Sequence, residues 1–535
     1  MASTFWLIAA LATSLAEIPP QDILPPPEAV DAAAGALRQE RRAIHDRETS
    51  RLLTVAGRLE NEGKSDEAQA VRGLIRPLGK GSDATRFVPC VDIVPAGSAT
   101  RPNPGGEEIA AVLSEAADAL FALAGKSAAG VEPNLALADA CLRDVLERRP
   151  DHAEARRLMG YIAYNGGWAT PYAVARLKEG MVPHATFGWV LGDWVPHLER
   201  GELPALPVKN QATRWLPASQ ADAQRQEWSS AWKINTEHFQ IQTNAPLADA
   251  IAFGRKLEAL DDLFFALMAD VIGPELPLAK RFRSKGFATA GPGRTHLVYY
   301  YANQNEYIDA LLPRQGESIR ESLGIYMPRE PKRKIPGASY FYRDPKAQID
   351  TTATLFHEAS HQLLFETAGK SDYSDKANYW VIEGMGCYFE TLKFQSDGTL
   401  RIGGMVGPRL AIARKRAIDH GEFMPTERLV ALGRNAFNGI NGGDVYLNYA
   451  QAMALTTFLM QREGAHGRDA FLDYVRDVYK GRTRAKIGRS LQDRLQVSYE
   501  TLDAELLDYL KGEETAAPIL DGARDESGDP ARRGR

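Results

Sequence analysis

Apolar residues recur along this chain with two periods, one helical and one strand-like, and the change between them divides it. From residue 28 to about 78 the spacing is helical among Ala, Leu and charged residues, and Glu62-Gly-Lys-Ser65 supplies a turn, which predicts a helical pair. Gly, Pro and Ser crowd residues 79–106, a predicted loop. Helical spacing returns from Glu107 to about Gly160. Leu135, Ala138, Cys141, Leu142 and Val145 fall on one face, and Arg149-Pro-Asp-His152 stops that helix before another opens at Ala153. The expectation is a mostly α-helical accessory region over 28–190 and a linker over 191–231.

At Trp232 the period changes. Trp232-Lys-Ile-Asn-Thr-Glu-His-Phe-Gln-Ile-Gln-Thr-Asn244 alternates apolar and polar residues, as a half-buried strand does. A helix follows to about Val271, and His296–Tyr301, Leu323–Tyr326 and Ala338–Tyr342 read as further strands. After Ile349 the pattern is helical to Lys511. Strands first and helices afterwards predict an α+β domain over 232–511, a small mixed sheet followed by a helical subdomain, with segregated layers instead of alternating βαβ units. Within the accessory region, the two helices flanking Pro150-Asp151, over about 131–165, resemble a tetratricopeptide-type hairpin, which implies a protein partner docked on that region.

Composition adds boundaries. The 535 residues suffice for two or three domains, and a net charge of -5 with no long basic run argues against nucleic acid as a partner. Residues 1–16 have a short apolar stretch ending in Ser14-Leu-Ala16, the pattern of a signal peptide, so the expected location is exported, periplasmic or extracellular. A proline-rich spacer over 17–27 follows, no later segment is apolar enough to span a membrane, and the polar tail over 512–535 is expected to be disordered. Cys90, Cys141 and Cys387 are too few for a disulfide scaffold.

The chemistry concentrates in Phe356-His357-Glu358-Ala-Ser-His361. His357 and His361 are four residues apart, so both imidazoles leave one helical face and can close on one zinc ion at roughly 2.0–2.1 Å. Glu358 is rotated by about 100° from His357 and flanks the ion as a general base. Such a motif arises by accident in roughly one chain of this length in a hundred, so a third ligand is needed to decide. Glu383, 22 residues beyond His361 in Trp380-Val-Ile-Glu-Gly-Met-Gly-Cys-Tyr-Phe-Glu390, supplies it if that helix folds back. Gly384 and Gly386 each cost about 1 kcal/mol in a helix, and close approach of two backbones around a metal would account for them.

HExxH followed by WxxEGxxxYxE resembles the gluzincin zinc metallopeptidases, a class that includes thermolysin and the aminopeptidases related to leukotriene A4 hydrolase. Residues 232–511 also resemble a bacterial family of uncharacterised function with a peptidase-like domain. The resemblance implies one Zn2+ held by His357, His361 and Glu383, Glu358 as base, and Glu390 bonded to a ligand histidine. Tyr446, 63 residues after Glu383, takes the place of an oxyanion-stabilising tyrosine, with Tyr449 as the alternative. Gly337-Ala-Ser-Tyr340 stands where aminopeptidase relatives carry a substrate-binding Gly-Ala motif, though its later residues differ. A metzincin continuation would need Gly at 364 and His at 367; the chain has Leu364 and Thr367. The expected activity is hydrolysis of a peptide or protein substrate. Two other readings remain open at this point: a non-catalytic exported scaffold that docks a partner on its helical region, and zinc hydrolysis of a non-peptide amide.

Overall fold

The computed structural model describes residues 27–512, apart from 77, 80–83, 96–105, 130–132, 274–275, 285–294, 345, 347–350, 368–375, 406, 441, 463–465 and 481–489. The expected signal, all of the spacer but Pro27, and the tail beyond Gly512 lie outside those residues. No described helix is long and apolar enough to cross a membrane.

The fold is α+β. A five-stranded sheet runs in the order Gly324–Met327, Ala338–Tyr342, His296–Tyr301, Phe239–Thr243, Trp232–Asn235. Its two outer pairings are antiparallel and the two inner ones parallel, with Ile241 opposite Val298 and Val298 opposite Ser339. Phe239, Ile241 and Thr243 are buried where Gln240 is exposed, while all five residues of Ala338–Tyr342 are buried, as a strand covered on both faces requires. The sequence marked these strands, but parallel neighbours need crossovers, and the helix Leu247–Leu267 lies between two of them in sequence. The expectation of segregated layers is corrected there: alternation reveals a strand and its faces, not the direction of its neighbour.

Against the sheet pack Leu247–Leu267 and Thr352–Thr367, and beyond them Tyr379–Phe389, Val445–Gln461 and Arg468–Tyr479. One apolar core runs through these elements, with Phe264, Phe356, Trp380, Phe389 and Phe471 fully buried.

The N-terminal part holds the helices Pro27–Asn61, Ser65–Arg72, Gly106–Ala128 and Leu135–Arg148. The helix after the Pro150-Asp151 turn is only seven residues, Ala153–Met159, and ends at Gly160 with φ of 95°. A strand begins at Ile162, so the tetratricopeptide-type hairpin is not completed. From there three hairpin-and-helix units replace the expected helix and linker. Ile162–Tyr164 pairs with Gly167–Ala169 before Pro171–Lys178, Met181–His184 with Gly188–Leu191 before Val195–Glu199, and Glu202–Pro204 with Trp215–Pro217 before Ala218–Ala223. Their strands of three or four residues are too short to show a period. The repeated Gly-Trp at 167–168 and 188–189 was the signal available.

This region is joined firmly to the rest. The Arg143 guanidinium bonds Asp262 at 2.6 Å and Asp139 at 2.7 Å, Arg38 bonds Asp469 at 2.7 Å, and Asp270 caps Leu135–Arg148 by accepting from Leu135 N at 2.6 Å.

Candidate metal centre

The sequence Leu355-Phe356 … Leu363-Leu364 buries one face of the helix Thr352–Thr367, and polar groups fix its rotation on the sheet. Ser339 Oγ donates to Gln362 Oε1 at 2.8 Å, Gln362 Nε2 donates to the Leu297 carbonyl at 3.1 Å, and His296 Nδ1 lies 2.6 Å from Glu366 Oε2. That rotation turns His357 and His361 toward the helix Tyr379–Phe389. The glycines there do what close approach demands. A Cβ on Gly386 would stand 2.7–2.9 Å from three atoms of the His357 ring, and one on Gly384 would stand 2.9 Å from the Ala452 carbonyl oxygen and against Thr456 Oγ1. One glycine makes room for a ligand ring and the other for the crossing helix Val445–Gln461.

The result is three donor atoms in one place. His357 Nε2 lies 3.0 Å from His361 Nε2, and Glu383 Oε2 lies 3.4 Å and 3.8 Å from those two nitrogens. Ligands about 2.0–2.1 Å from a tetrahedral zinc stand about 3.3 Å apart, so the spacing fits one ion. All three side chains are buried.

The electrostatics point the same way. Burial opposes charge on His357, yet Cys387, Glu383 and Glu390 outweigh it and hold the ring's pKa well above the ordinary histidine value. Burial likewise opposes charge on Glu383, and the two histidines outweigh it, leaving the carboxyl well below its usual range. The carboxylates around His357 therefore favour positive charge there.

Around the cluster, His357 Nδ1 is 2.8 Å from Glu390 Oε1, the outer partner that fixes a ligand ring. Arg409 Nε in turn bonds Glu390 Oε2 at 3.0 Å, and the Arg409 guanidinium stands over the Tyr449 ring with Cζ 5.1 Å from its centroid. His361 Nδ1 is buried with no hydrogen-bond partner among the described residues. Glu358 is half-buried beside this group; burial raises its pKa, the two histidines oppose the rise, and Tyr326 N–H donates to its Oε2 at 2.9 Å. A second grouping, His357, Cys387 and Glu390, shares the same histidine.

The two candidate tyrosines separate. Tyr446 is 74% exposed. Tyr449, one turn further along, is half-buried. Its phenol donates to Asn438 Oδ1 at 3.3 Å, and its pKa is raised by burial and then by the Glu383 carboxylate. Tyr379 is raised by the same two causes and lies beside Glu383 and Asn438. Sequence reasoning passed over Tyr379, although it stands four residues before Glu383 on the same helical face. It also missed Arg409, which no motif marked. The Gly337-Ala-Ser-Tyr340 segment opens an interior strand, so the edge that faces the helix belongs to Gly324–Met327 instead.

Fold and site together define an α+β protein with a candidate three-ligand metal centre between two helices. Residues 351–483, which carry that centre, match the profile of a family described as "Protein of unknown function (DUF1570)". No curated protein matches the chain.

Proposed function

We propose that this chain is a zinc-dependent peptidase of the gluzincin type, exported, and acting on peptide or protein substrates. The observation that carries the reading is the convergence of His357 Nε2, His361 Nε2 and Glu383 Oε2 within 3.0–3.8 Å of one another, next to an otherwise unassigned glutamate. The sheet supports the peptide half of it. Gly324–Met327 is an edge strand, the place where an extended peptide backbone adds to a sheet, with its Tyr326 N–H donated to Glu358.

His357, His361 and Glu383 would hold the ion, which when bound polarises the scissile carbonyl and acidifies the attacking water. Glu358 takes the proton from that water as its oxygen adds to the carbonyl carbon. Burial raises the Glu358 pKa, which favours its taking that proton, and the resulting carboxyl passes it to the nitrogen as the C–N bond breaks. The Tyr326 N–H fixes the carboxylate that performs both transfers. Tyr449 takes over from Tyr446 as the phenol proposed to stabilise the oxyanion, on the strength of its place beside Glu383.

The test is a pair of variants. Glu358→Gln should bind zinc as the wild type does and lose roughly 10²–10⁴ in turnover; His357→Ala should lose the metal. A His357→Ala protein that stays fully metallated and active contradicts the proposal.

A further inference from the structure

The hairpin that continues the edge strand carries charge of one sign. Arg329-Glu-Pro-Lys-Arg-Lys334 holds four cations and one carboxylate in a chain of net charge -5. Its backbone is ordered: Glu330 N donates to the Ile335 carbonyl at 3.0 Å and Ile335 N returns the bond at 3.2 Å, around a tight turn at Pro331–Arg333. The one carboxylate is already taken, since Glu330 accepts from Arg314 at 2.8 Å and from Arg333 at 3.2 Å. Arg329, Lys332 and Lys334 are exposed and have no carboxylate partner among the described residues.

The root of this hairpin lies close to the metal centre. A Cβ on Gly337 would stand 3.3 Å from Arg329 N, 3.0 Å from Tyr326 Oη and 2.8 Å from Glu366 Oε1. The Tyr326 ring stacks on Phe365 at 5.7 Å, and Phe365 is 6.4 Å from the His361 ring. Phe365 and Tyr326 thus bridge from the ligand histidine to the base of the cationic hairpin.

We propose that the Arg329–Lys334 hairpin recognises acidic peptide segments, so that the substrate is a chain bearing Asp or Glu to one side of the cleaved bond. This rests on the peptidase reading in one respect, that the strand edge is the peptide's track. Glu330 is four residues past Tyr326 (330 minus 326), or about 13 Å at about 3.3 Å per residue. A peptide whose reacting bond lies at Glu358, beside Tyr326, therefore brings side chains about four positions away to the cations. Recognition between solvated charges is long-ranged at low salt and screened over about 10 Å at 0.1 M, so it should be salt-sensitive.

Binding is measured on the full-length Glu358→Gln protein loaded with zinc, with fluorescein-labelled peptides that carry a Glu run or a Lys run beside an identical apolar centre. The Glu peptide should bind roughly tenfold tighter at low salt, and the difference should collapse near 0.5 M salt. Adding Arg329→Glu, Lys332→Glu and Lys334→Glu, which spares the Arg314–Glu330–Arg333 pairs, should reverse the preference while the melting curve stays that of the parent. Equal binding of the two peptides, or a preference that survives the charge reversal, overturns the inference. Cleavage by the Glu358-containing protein is scored separately: its absence defeats the peptidase reading, while the binding result still decides the hairpin's role.

Discussion

At the scale of single residues, the candidate centre depends on what is missing at two positions as much as on what is present at three. Gly386→Ala sets a methyl 2.7–2.9 Å from ring atoms of the buried His357, so the ring must shift from its place in the cluster. The expected outcome is a folded protein that has lost its zinc, read by metal analysis beside circular dichroism. Gly384→Ala meets backbone at Ala452 and should destabilise by about 1–3 kcal/mol, as overpacking does, with a smaller effect on zinc. Glu390→Gln removes the charge that orients His357 and should weaken zinc binding by about 10–100-fold. For the phenols, Tyr449→Phe should lower kcat by about 10²–10³ and Tyr446→Phe should leave it unchanged; the reverse ranking would return the role to Tyr446. These residues were unequally legible. The four-residue spacing of the histidines and the two helical glycines could be read directly, because helix geometry alone gives them meaning. The choice between Tyr446 and Tyr449 could not, because three residues of a helix turn a side chain to within about 60° of its start and packing decides which one faces inward.

At the scale of elements, the runs Trp232–Asn244, His296–Tyr301, Leu323–Tyr326 and Ala338–Tyr342 marked the strands of the five-stranded sheet, whereas the three- and four-residue strands of the N-terminal hairpins were missed. The Phe239–Thr243 strand was visible, and the three short hairpins between Ile162 and Pro217 were not. The turn between Trp232–Asn235 and Phe239–Thr243 carries its own consequence. His238 Nδ1 lies 2.8 Å from Glu258 and 3.3 Å from Asp261 on the neighbouring helix, with Glu237 beside it. Burial lowers its pKa, but Asp261 and Glu258 outweigh burial and carry it up to about 10. A folded-state value above the unfolded 6.5 means that the stabilisation is complete below about pH 6.5 and is lost as pH rises through about 10. With the ring about one third exposed and screened, the amount is on the order of 1 kcal/mol. Melting curves between neutral pH and pH 10 should show this loss in the wild type and not in His238→Gln. An identical pH dependence in both proteins would remove His238 from the account.

At the scale of the whole molecule, the N-terminal region is bound to the helical half through Arg143, Arg38 and Asp270, so the metal centre sits within one body and not on a tethered module. The overall class was legible because core burial obeys simple periodicities. The parallel strand order was not, since it is set by contacts between residues far apart in sequence. The central claim is that the three converging donors hold zinc and that this zinc does chemistry. The most direct measurement is the metal content of the purified full-length protein, taken together with its cleavage of a mixed peptide library before chelation, after chelation and after zinc is restored. The account predicts one zinc per chain, cleavage that disappears with the metal and returns with it, and a Glu358→Gln protein that keeps the zinc without cleaving. A metal-free protein that binds no added zinc, or cleavage that persists when the zinc is gone, would contradict it.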